Sequence, residues 1–333
     1  MNYTPPFNIT SDILNLATQI SEQVGRLNVS EFAMPPMLRK QNRIKTIAGT
    51  LAIEGNTLSE EQVTAILEGK AVMGSASELA EVKGAIQAYE ALPQLEPHNV
   101  EDLLRAHGLM MSDVLVNAGK FRDSAVGIHK GKTVNHVAPP AHRVSGLIAD
   151  LIGWLTASKD HPLISSSVFH YEFEFIHPFT DGNGRMGRLW QTLILSKWRP
   201  LFLSLPLESV IKDNQQYYYQ ALEQADEQAE STPFVHFMLS VIAQTLAQNA
   251  SVNAPVNLTG LKTPEAIIAL IQKDPEITRQ QMVEILGKDI RTIGRAIAKL
   301  QQSGCLKRVG SDKTGHWKMM AEWVQSSGQK SFK

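Results

Sequence analysis

Helical periodicity is the feature that most restricts the fold of this 333-residue chain. Apolar residues recur every three or four positions through nearly all of residues 11–250, as in "SDILNLATQISEQVGRL" and "AHRVSGLIADLIGWLTAS". That spacing places apolar side chains along one side of a helix. The pattern therefore predicts a mainly α fold. The chain is also long enough for about two domains of ordinary size.

One segment departs from this periodicity. Residues 124–140, "SAVGIHKGKTVNHVAPP", alternate apolar and polar side chains and carry Gly131-Lys132 near the middle. A period of two is typical of a strand, and a glycine between two such runs is typical of a tight turn. The segment predicts a short β-hairpin within the helical part of the chain.

The C-terminal part has a different composition. The stretch "NASVNAPVNLTGLKTPE" is rich in small polar residues and predicts a linker. Beyond it, "TPEAIIALIQKD", "TRQQMVEILG" and "DIRTIGRAIAKLQQSG" predict three short helices, and "CLKRVG" and "GHWKMM" predict two strands. This order is that of a winged helix-turn-helix.

This module is moderately basic. Residues 262–318 contain eleven Lys or Arg and six Asp or Glu, a balance of +5. Basic residues along its third helix and in its wing are Arg291, Arg295, Lys299, Lys307, Arg308 and Lys313. Such cations can contact DNA phosphates. Winged helices also dock proteins or form dimers, so both roles stay open.

The stretch "IHPFTDGNGRMGRL" (176–189) concentrates groups that bind anions. Pro178 disfavours continuation of the preceding helix, and Gly182 and Gly184 allow a left-handed backbone. A helix that begins at about Gly184 would direct free N–H groups and its positive dipole end into the turn, which suits phosphate. Arg185 and Arg188 share one face of that helix and can each donate paired hydrogen bonds to phosphate oxygens.

Two more side chains of this turn can handle a metal ion and a proton. Asp181 offers hard oxygen ligands to Mg²⁺ on a nucleotide phosphate, and His177 can accept a proton near neutral pH. A phosphate site, a metal ligand and a general base together favour phosphoryl or nucleotidyl transfer. A Gly-Asn-Gly sequence alone would be an ordinary turn, and no P-loop sequence is present.

The complete string resembles the signature of the Fic domain family, H-x-F-x-[DE]-G-N-G-R-x-x-R, and matches every fixed position. The resemblance extends through most of residues 1–250. "NAGKFR" (117–122) looks like the Gly-x-Phe/Tyr-Arg element of the family, the 124–140 hairpin like its target-docking flap, and "NQQYYYQAL" like the segment that closes over the base. The resemblance implies a helical Fic core with a β-hairpin flap and a small C-terminal winged helix-turn-helix domain.

The resemblance also implies a reaction, the transfer of AMP from ATP to a Ser, Thr or Tyr hydroxyl of a target protein, including the chain itself. His177 would take the hydroxyl proton, and Asp181 would carry Mg²⁺ on the α- and β-phosphates. Arg185 and Arg188 would hold the β- and γ-phosphates. The implied nucleotide-binding residues are Gly182, Asn183, Gly184, Arg185, Met186, Gly187, Arg188 and Asn214.

Asn214 is the candidate for adenine contact, with Tyr218 as a neighbour. The alternative interpretation of Asn214 is a helix cap, because asparagine is favoured at such positions.

A second motif precedes the core. In "TLAIEGN", Thr50 and Glu54 are four residues apart and share a helix face. An acidic residue near a helix C-terminus is disfavoured by the dipole, which indicates a cationic partner. The stretch resembles the Fic inhibitory motif [ST]-x-x-x-E-[GN]. It implies that Glu54 pairs with Arg188 in place of the γ-phosphate. In an alternative role, Glu54 would orient a water that removes AMP from a modified target.

These interpretations give a four-part organisation: an N-terminal helical region with the inhibitory helix (1–100), the catalytic core (101–250), a linker (251–260) and the winged helix (261–333). One further alternative is a DNA-binding regulator whose core is only a sensor. A homodimer is expected by family analogy. The net charge of −1 gives no argument for a membrane partner. The single cysteine, Cys305, and the start "MNYTPPFNITSD" suggest a buried thiol and a cytoplasmic protein.

Overall fold

The computed structural model describes residues 3–29, 36–130, 133–253, 258, 260–310 and 315–320. The chain divides into two compact units, the first formed by residues 1–31 with 41–251 and the second by residues 32–40 with 252–333. The four-part organisation that the sequence suggests stays a prediction. Among the described residues, no helix has the length and apolar character that a membrane crossing requires.

Helices account for most of the described residues up to 253, as the periodicity predicts. In chain order they are α1 (Ser11–Val29), α2 (Pro36–Ile53), α3 (Glu60–Leu67), α4 (Ala76–Ala91), α5 (Val100–Met111), α6 (Ala141–Ala157), α7 (Pro162–Ile176), α8 (Asn183–Trp198), α9 (Leu207–Asp213), α10 (Gln215–Gln228) and α11 (Thr232–Asn253). Short 3₁₀ turns follow α4 and α8, at Leu92–Gln94 and Pro200–Ser204.

Helices α7 and α8 form the centre of the first unit. They pack against each other, and nearly every residue of both helices is buried. Phe169 and Phe173 of α7 and Trp190 of α8 are fully buried. The turn between α7 and α8 is therefore held by an extensively buried part of the unit, in which polar as well as apolar side chains are packed.

The start of the chain also packs onto this centre. The Tyr3 hydroxyl donates a hydrogen bond to the Glu172 carboxylate in α7 at 2.5 Å. The Ser231 amide donates to the Pro6 carbonyl at 2.9 Å. The α1 helix is capped one residue earlier than Ser11, because the Thr10 hydroxyl accepts from the Ile13 amide.

Local capping signals set several helix ends. A Ser-x-x-Gln capping box is present at Ser59, and a second box, with Glu78 as its acidic member, begins at Ser75. Gly55 adopts a φ of 92°, and the Asn56 amide returns to the Leu51 carbonyl at 3.1 Å, which ends α2. Glu54 therefore lies in the turn directly after α2.

The predicted hairpin is present as β1 (Gly127–Lys130) and β2 (Thr133–Val137), paired antiparallel. Its register shifts between Ile128 and His129. The predicted Gly131-Lys132 turn lies outside the described residues.

The second unit contains α12 (Thr263–Lys273), α13 (Arg279–Leu286), α14 (Ile290–Gln302), β3 (Leu306–Val309) and β4 (His316–Met319). The two strands pair antiparallel, so the predicted order of three helices and a ribbon is confirmed. The core includes Ile267, Met282, Ile293 and Trp317, and it also buries Cys305, as predicted.

Candidate active site

The turn between α7 and α8 reverses the chain through two left-handed residues. His177 follows the last residue of α7 with a φ of 50°, and its amide still donates to the Phe173 carbonyl at 3.0 Å. Gly182, with a φ of 82°, precedes the first residue of α8. A left-handed histidine persists only where its surroundings hold it. The predicted base, which is partly exposed, therefore has a defined backbone position.

Asn183 braces this turn. Its side-chain oxygen accepts from the Phe179 amide at 2.8 Å, and its side-chain nitrogen donates to the Phe179 carbonyl at 2.9 Å. The residue is 2% exposed. Both ends of the amide side chain are thus used within the turn.

The start of α8 presents the main-chain donors of a helix N-terminus. The amides of Asn183, Gly184 and Arg185 lie in the first turn, where a helix supplies no acceptor of its own. A Cβ atom added to Gly184 would lie 2.5 Å from the Glu54 Oε1 atom and 3.1 Å from Arg188 Nη1. The Glu54 carboxylate therefore lies directly over Gly184, at the positive end of the α8 dipole.

Glu54 and Arg188 form the ion pair that the resemblance implies. Arg188 Nη2 donates to Glu54 Oε1 at 2.7 Å, and the Glu54 side chain is 33% exposed. Arg188 is 2% exposed, and it also donates to the Thr50 hydroxyl at 3.0 Å and the Thr50 carbonyl at 3.1 Å. Burial alone lowers the pKa of Arg188, but the Glu54 carboxylate raises it, and the net shift is upward. Arg188 is therefore a permanent cation beside the start of α8.

Arg185 is a second buried cation at the same place. It is 2% exposed, and its Nη2 atom lies 3.4 Å from Asp181 Oδ2, while its Nη1 atom lies 3.7 Å from Glu81 Oε1. The Nε and Nη1 atoms of Arg185 and the Nη1 atom of Arg188 have no hydrogen-bond acceptor among the described residues. Buried donors without acceptors are costly, so an incoming anion with several oxygens would be favoured here.

Asp181 is the exposed member of the group. Its side chain is 55% exposed, and its Oδ1 atom accepts from the Gly182 amide at 2.6 Å. No group of three or more His, Cys, Asp or Glu side chains converges anywhere in the described part of the chain.

His107 supports this turn, a role that the sequence did not suggest. The Gly119 amide donates to His107 Nδ1 at 2.8 Å, so Nε2 carries the proton and donates to the Asp181 carbonyl at 3.1 Å. The ring also stacks on Phe179 with centroids 3.6 Å apart. Burial lowers the pKa of His107 to about 4, so the ring stays neutral at pH 7.

Other predicted residues lie in packed positions. Met186 is fully buried, and a Cβ atom at Gly187 would lie 2.6 Å from the His170 ring of α7. Tyr218 is also buried, with its hydroxyl 3.2 Å from His170 Nε2. Packing accounts for these positions without a ligand, and their nucleotide contact stays a prediction.

Asn214 lies at the junction of α9 and α10, where its side-chain nitrogen donates to the Val210 carbonyl at 2.8 Å. Among the described residues, its side chain makes no hydrogen bond to the α7–α8 turn, and its adenine contact stays a prediction. Two neighbours that the sequence did not single out reach the end of α2 instead. Gln215 Nε2 donates to the Ile53 carbonyl at 2.8 Å, and the Tyr219 hydroxyl lies 3.4 Å from the same oxygen.

Comparisons with known proteins agree with this geometry. Residues 97–195 match the Fic/DOC family, and residues 261–307 match a group described as winged helix-turn-helix DNA-binding. The crystal structure of a Fic family protein from Desulfovibrio desulfuricans G20 is 41% identical to this chain, with a TM-score of 0.75. That match covers 96% of this chain and 99% of the other.

Two curated relatives are named protein adenylyltransferase Fic. The protein of Culex quinquefasciatus is 32% identical over 218 residues, or 62% of this chain and 41% of the relative. The protein of Nematostella vectensis is 29% identical over 281 residues, or 79% of this chain and 63% of the relative. The chain thus spans less than two thirds of each of these curated relatives.

The full signature lies at the α7–α8 turn, the fold is helical with one hairpin and a winged helix-turn-helix, and the Desulfovibrio structure matches over nearly its whole length. The chain therefore belongs to the Fic/DOC family.

Proposed function

We propose that the chain transfers AMP from ATP to a Ser, Thr or Tyr hydroxyl of a protein target, including itself, and that Glu54 inhibits this reaction. One observation carries the proposal. The start of α8 combines first-turn amides with two buried arginines, groups that suit an anion, and the carboxylate of Glu54 lies over Gly184 and pairs with Arg188 there. A triphosphate could use the same site only if Glu54 moved away. The names of the curated relatives support the choice of AMP transfer.

In the proposed step, His177 takes the proton from the attacking hydroxyl. The hydroxyl oxygen forms a bond to the α-phosphorus, the bond from that phosphorus to the bridging oxygen breaks, and pyrophosphate leaves with the electron pair. The first-turn amides of α8 and the two arginines stabilise the charge on the phosphates. The bracing by Asn183 and His107 keeps these groups in place before the nucleotide arrives.

Asp181 fits the proposed Mg²⁺. Its carboxylate is more than half exposed and lies beside the cationic start of α8. Mg²⁺ in nucleotide sites is commonly held by one or two carboxylates, with phosphate oxygens and waters as its other ligands. Bound there, the ion would neutralise phosphate charge. Asp181 would hold it, and the hydrogen bonds from His107 and Gly182 would orient the Asp181 residue.

Intact-protein mass spectrometry tests the reaction. Full-length wild type, Glu54→Gly and His177→Ala are incubated with ATP and Mg²⁺. We expect Glu54→Gly to gain the mass of AMP and His177→Ala to gain it at least about 10²-fold more slowly, because general-base catalysis contributes roughly that factor or more. A phosphate-sized gain, or full activity of His177→Ala, would contradict the assignment.

The inhibitory role has its own measurement. Removal of Glu54 leaves Arg188 free for phosphate, so Glu54→Gly should be modified faster than wild type at every ATP concentration. Glu61→Gly, an exposed acidic residue of α3, is the matched control and should behave as wild type. Equal rates for wild type and Glu54→Gly would remove the inhibitory proposal.

A second candidate activity uses the same carboxylate. One third of the Glu54 side chain is exposed, so a water could reach it while Arg188 fixes one of its oxygens. Glu54 could then direct that water to remove AMP from a modified protein. Incubation of AMP-modified chain with unmodified wild type and Mg²⁺ should release AMP, and Glu54→Gly should not release it. Release by neither protein would exclude this candidate.

DNA binding is a separate candidate for the second unit. Arg291, Arg295 and Lys299 are exposed on α14, and the region matches a group described as DNA-binding. If the unit binds duplex DNA, Arg291→Ala with Arg295→Ala in the full chain should weaken binding and flatten its salt dependence. No binding by the wild type at low salt would favour a docking role instead.

A further inference from the structure

Arg122 joins three parts of the site through its own hydrogen bonds. Its Nε atom donates to the His177 carbonyl at 2.8 Å, and its amide donates to the Pro178 carbonyl at 2.9 Å. The other guanidinium nitrogens donate to the Ser124 carbonyl at 3.0 Å and the Pro139 carbonyl at 2.5 Å. One buried side chain thus holds the peptide of the proposed base and both ends of the hairpin.

The acceptors of this arginine are main-chain carbonyls, including a longer contact of 3.4 Å to the Ile176 carbonyl. Arg122 is 3% exposed, and burial lowers the pKa of its guanidinium. To bury a cation against neutral acceptors costs free energy that a hydrophobic side chain would not cost. The planar guanidinium can reach acceptors in several directions at once, which a lysine cannot do.

Two of the carbonyl acceptors of Arg122 lie at the two ends of the hairpin. Ser124 lies three residues before β1 begins, and Pro139 lies two residues after β2 ends. The hairpin is a two-stranded ribbon, a structure with little stability of its own. A target strand added to its edge would extend the ribbon to three strands. A displacement of the hairpin base would then displace the left-handed His177, because the same guanidinium is bonded to both.

We propose that Arg122 is a positioning residue that couples the base of the β1–β2 hairpin to the His177 peptide, so that docking of a target on the hairpin and orientation of the imidazole are linked. This proposal rests on the proposed AMP transfer. Arg122 need not touch the substrate, because it acts through His177 and the hairpin.

The test uses full-length chain carrying Glu54→Gly, with Arg122→Gln and Arg122→Lys added separately. Lys120→Gln is the matched control, since Lys120 is an exposed cation two residues away. Hydrogen exchange is followed by mass spectrometry in residues 124–139 and 176–182. Arg122→Gln should increase exchange in both segments together, Arg122→Lys should increase it less, and the control should leave both segments unchanged.

Automodification is then measured against ATP concentration. A displaced His177 should lower the maximum rate by about 10²-fold in Arg122→Gln, the loss expected for a small misplacement of a catalytic group. The apparent KM for ATP should change less than about threefold, because the phosphate site is not touched. The lysine variant should recover part of the rate.

Three results would overturn the coupling: faster exchange in only one of the two segments, a rate like that of the control, or a uniform increase in exchange over the whole first unit in both variants. If the Glu54→Gly parent incorporates no AMP, the proposed reaction fails. The exchange measurement still decides whether Arg122 couples the two segments.

Discussion

Single residues at the α7–α8 turn each perform a separable physical task. Glycine at 184 keeps space above the start of α8, Asn183 closes the turn on itself, and His107 holds the Asp181 carbonyl from α5. Two of these tasks involve residues within the signature. The third comes from a histidine more than seventy positions earlier in the chain, and its contribution is visible only in the fold.

Gly184 gives the first prediction at this scale. Gly184→Ala places a methyl group where the Glu54 carboxylate now lies, 2.5 Å from its Oε1 atom. Nucleotide affinity should fall at least about tenfold even with Glu54→Gly present, because a phosphate needs the same space. Gly153→Ala in α6 is the control, since nothing lies within 4 Å of its added methyl group. Calorimetric titration with ATP measures both variants, and equal affinities would contradict the prediction.

His107 gives a prediction about pH. Its pKa is about 4 in the folded chain and about 6.5 when unfolded, so the unfolded state binds more protons between these values. Stability should therefore fall as the pH drops from about 6.5 to 4, by up to about 3 kcal/mol from this residue. Urea unfolding at several pH values measures how the free energy of unfolding changes with pH. His107→Gln should flatten this dependence relative to wild type, and identical slopes would count against the assignment.

At the scale of elements, the end of α2 depends on α10. The Ile53 carbonyl is one of the last carbonyls of α2, and it receives the side chains of Gln215 and Tyr219. Glu54 is the next residue. The contacts that fix the end of α2 therefore also hold the Glu54 carboxylate, which we propose to be inhibitory, beside Arg188.

Gln215→Ala should consequently increase automodification. Loss of a hydrogen bond worth about 1 kcal/mol should raise the initial rate by roughly fivefold, provided that the bond is made only in the inhibited state. Gln216→Ala is the control, because Gln216 is the exposed neighbour on the same helix. Initial rates of automodification are measured for both variants at one ATP concentration. Equal rates would show that the α10 contact does not contribute to the inhibition.

Elements with a strong local signal were predictable from the sequence. Periodicity predicts the helices and the hairpin. The Ser59 capping box coincides with the start of α3, and Gly55 coincides with the end of α2. The cap of α1, in which the Thr10 hydroxyl accepts from the Ile13 amide, is harder to predict, because Ser11 and Asp12 directly after it are also of residue types that cap helices. Contributions from α4 and α5 were not predictable, since Glu81 and His107 carry no local motif and act across long sequence separations. Gln215 lies in a segment that the sequence singled out, but its contact with the end of α2 is visible only in the fold.

At the scale of the whole molecule, ligand binding should increase the free energy of unfolding. Anything that binds only the folded chain stabilises it, by about 2.7 kcal/mol at one hundred times the Kd. ATP with Mg²⁺ should therefore raise the Tm of Glu54→Gly more than that of wild type, in which we propose that the Glu54 carboxylate competes for the same site. His177→Ala in the Glu54→Gly background should keep the shift, because the base is not needed for binding. Scanning fluorimetry compares the three proteins, and equal shifts in wild type and Glu54→Gly would argue against competition.

The contact of the first residues with α7 has a practical consequence for protein production. The family match covers only residues 97–195, yet Tyr3 bonds to Glu172 and Pro6 to Ser231, outside or across that boundary. A fragment trimmed to the matched region would leave the helix before His177 without its covering. A fragment that keeps these contacts starts before Tyr3 and runs through α11.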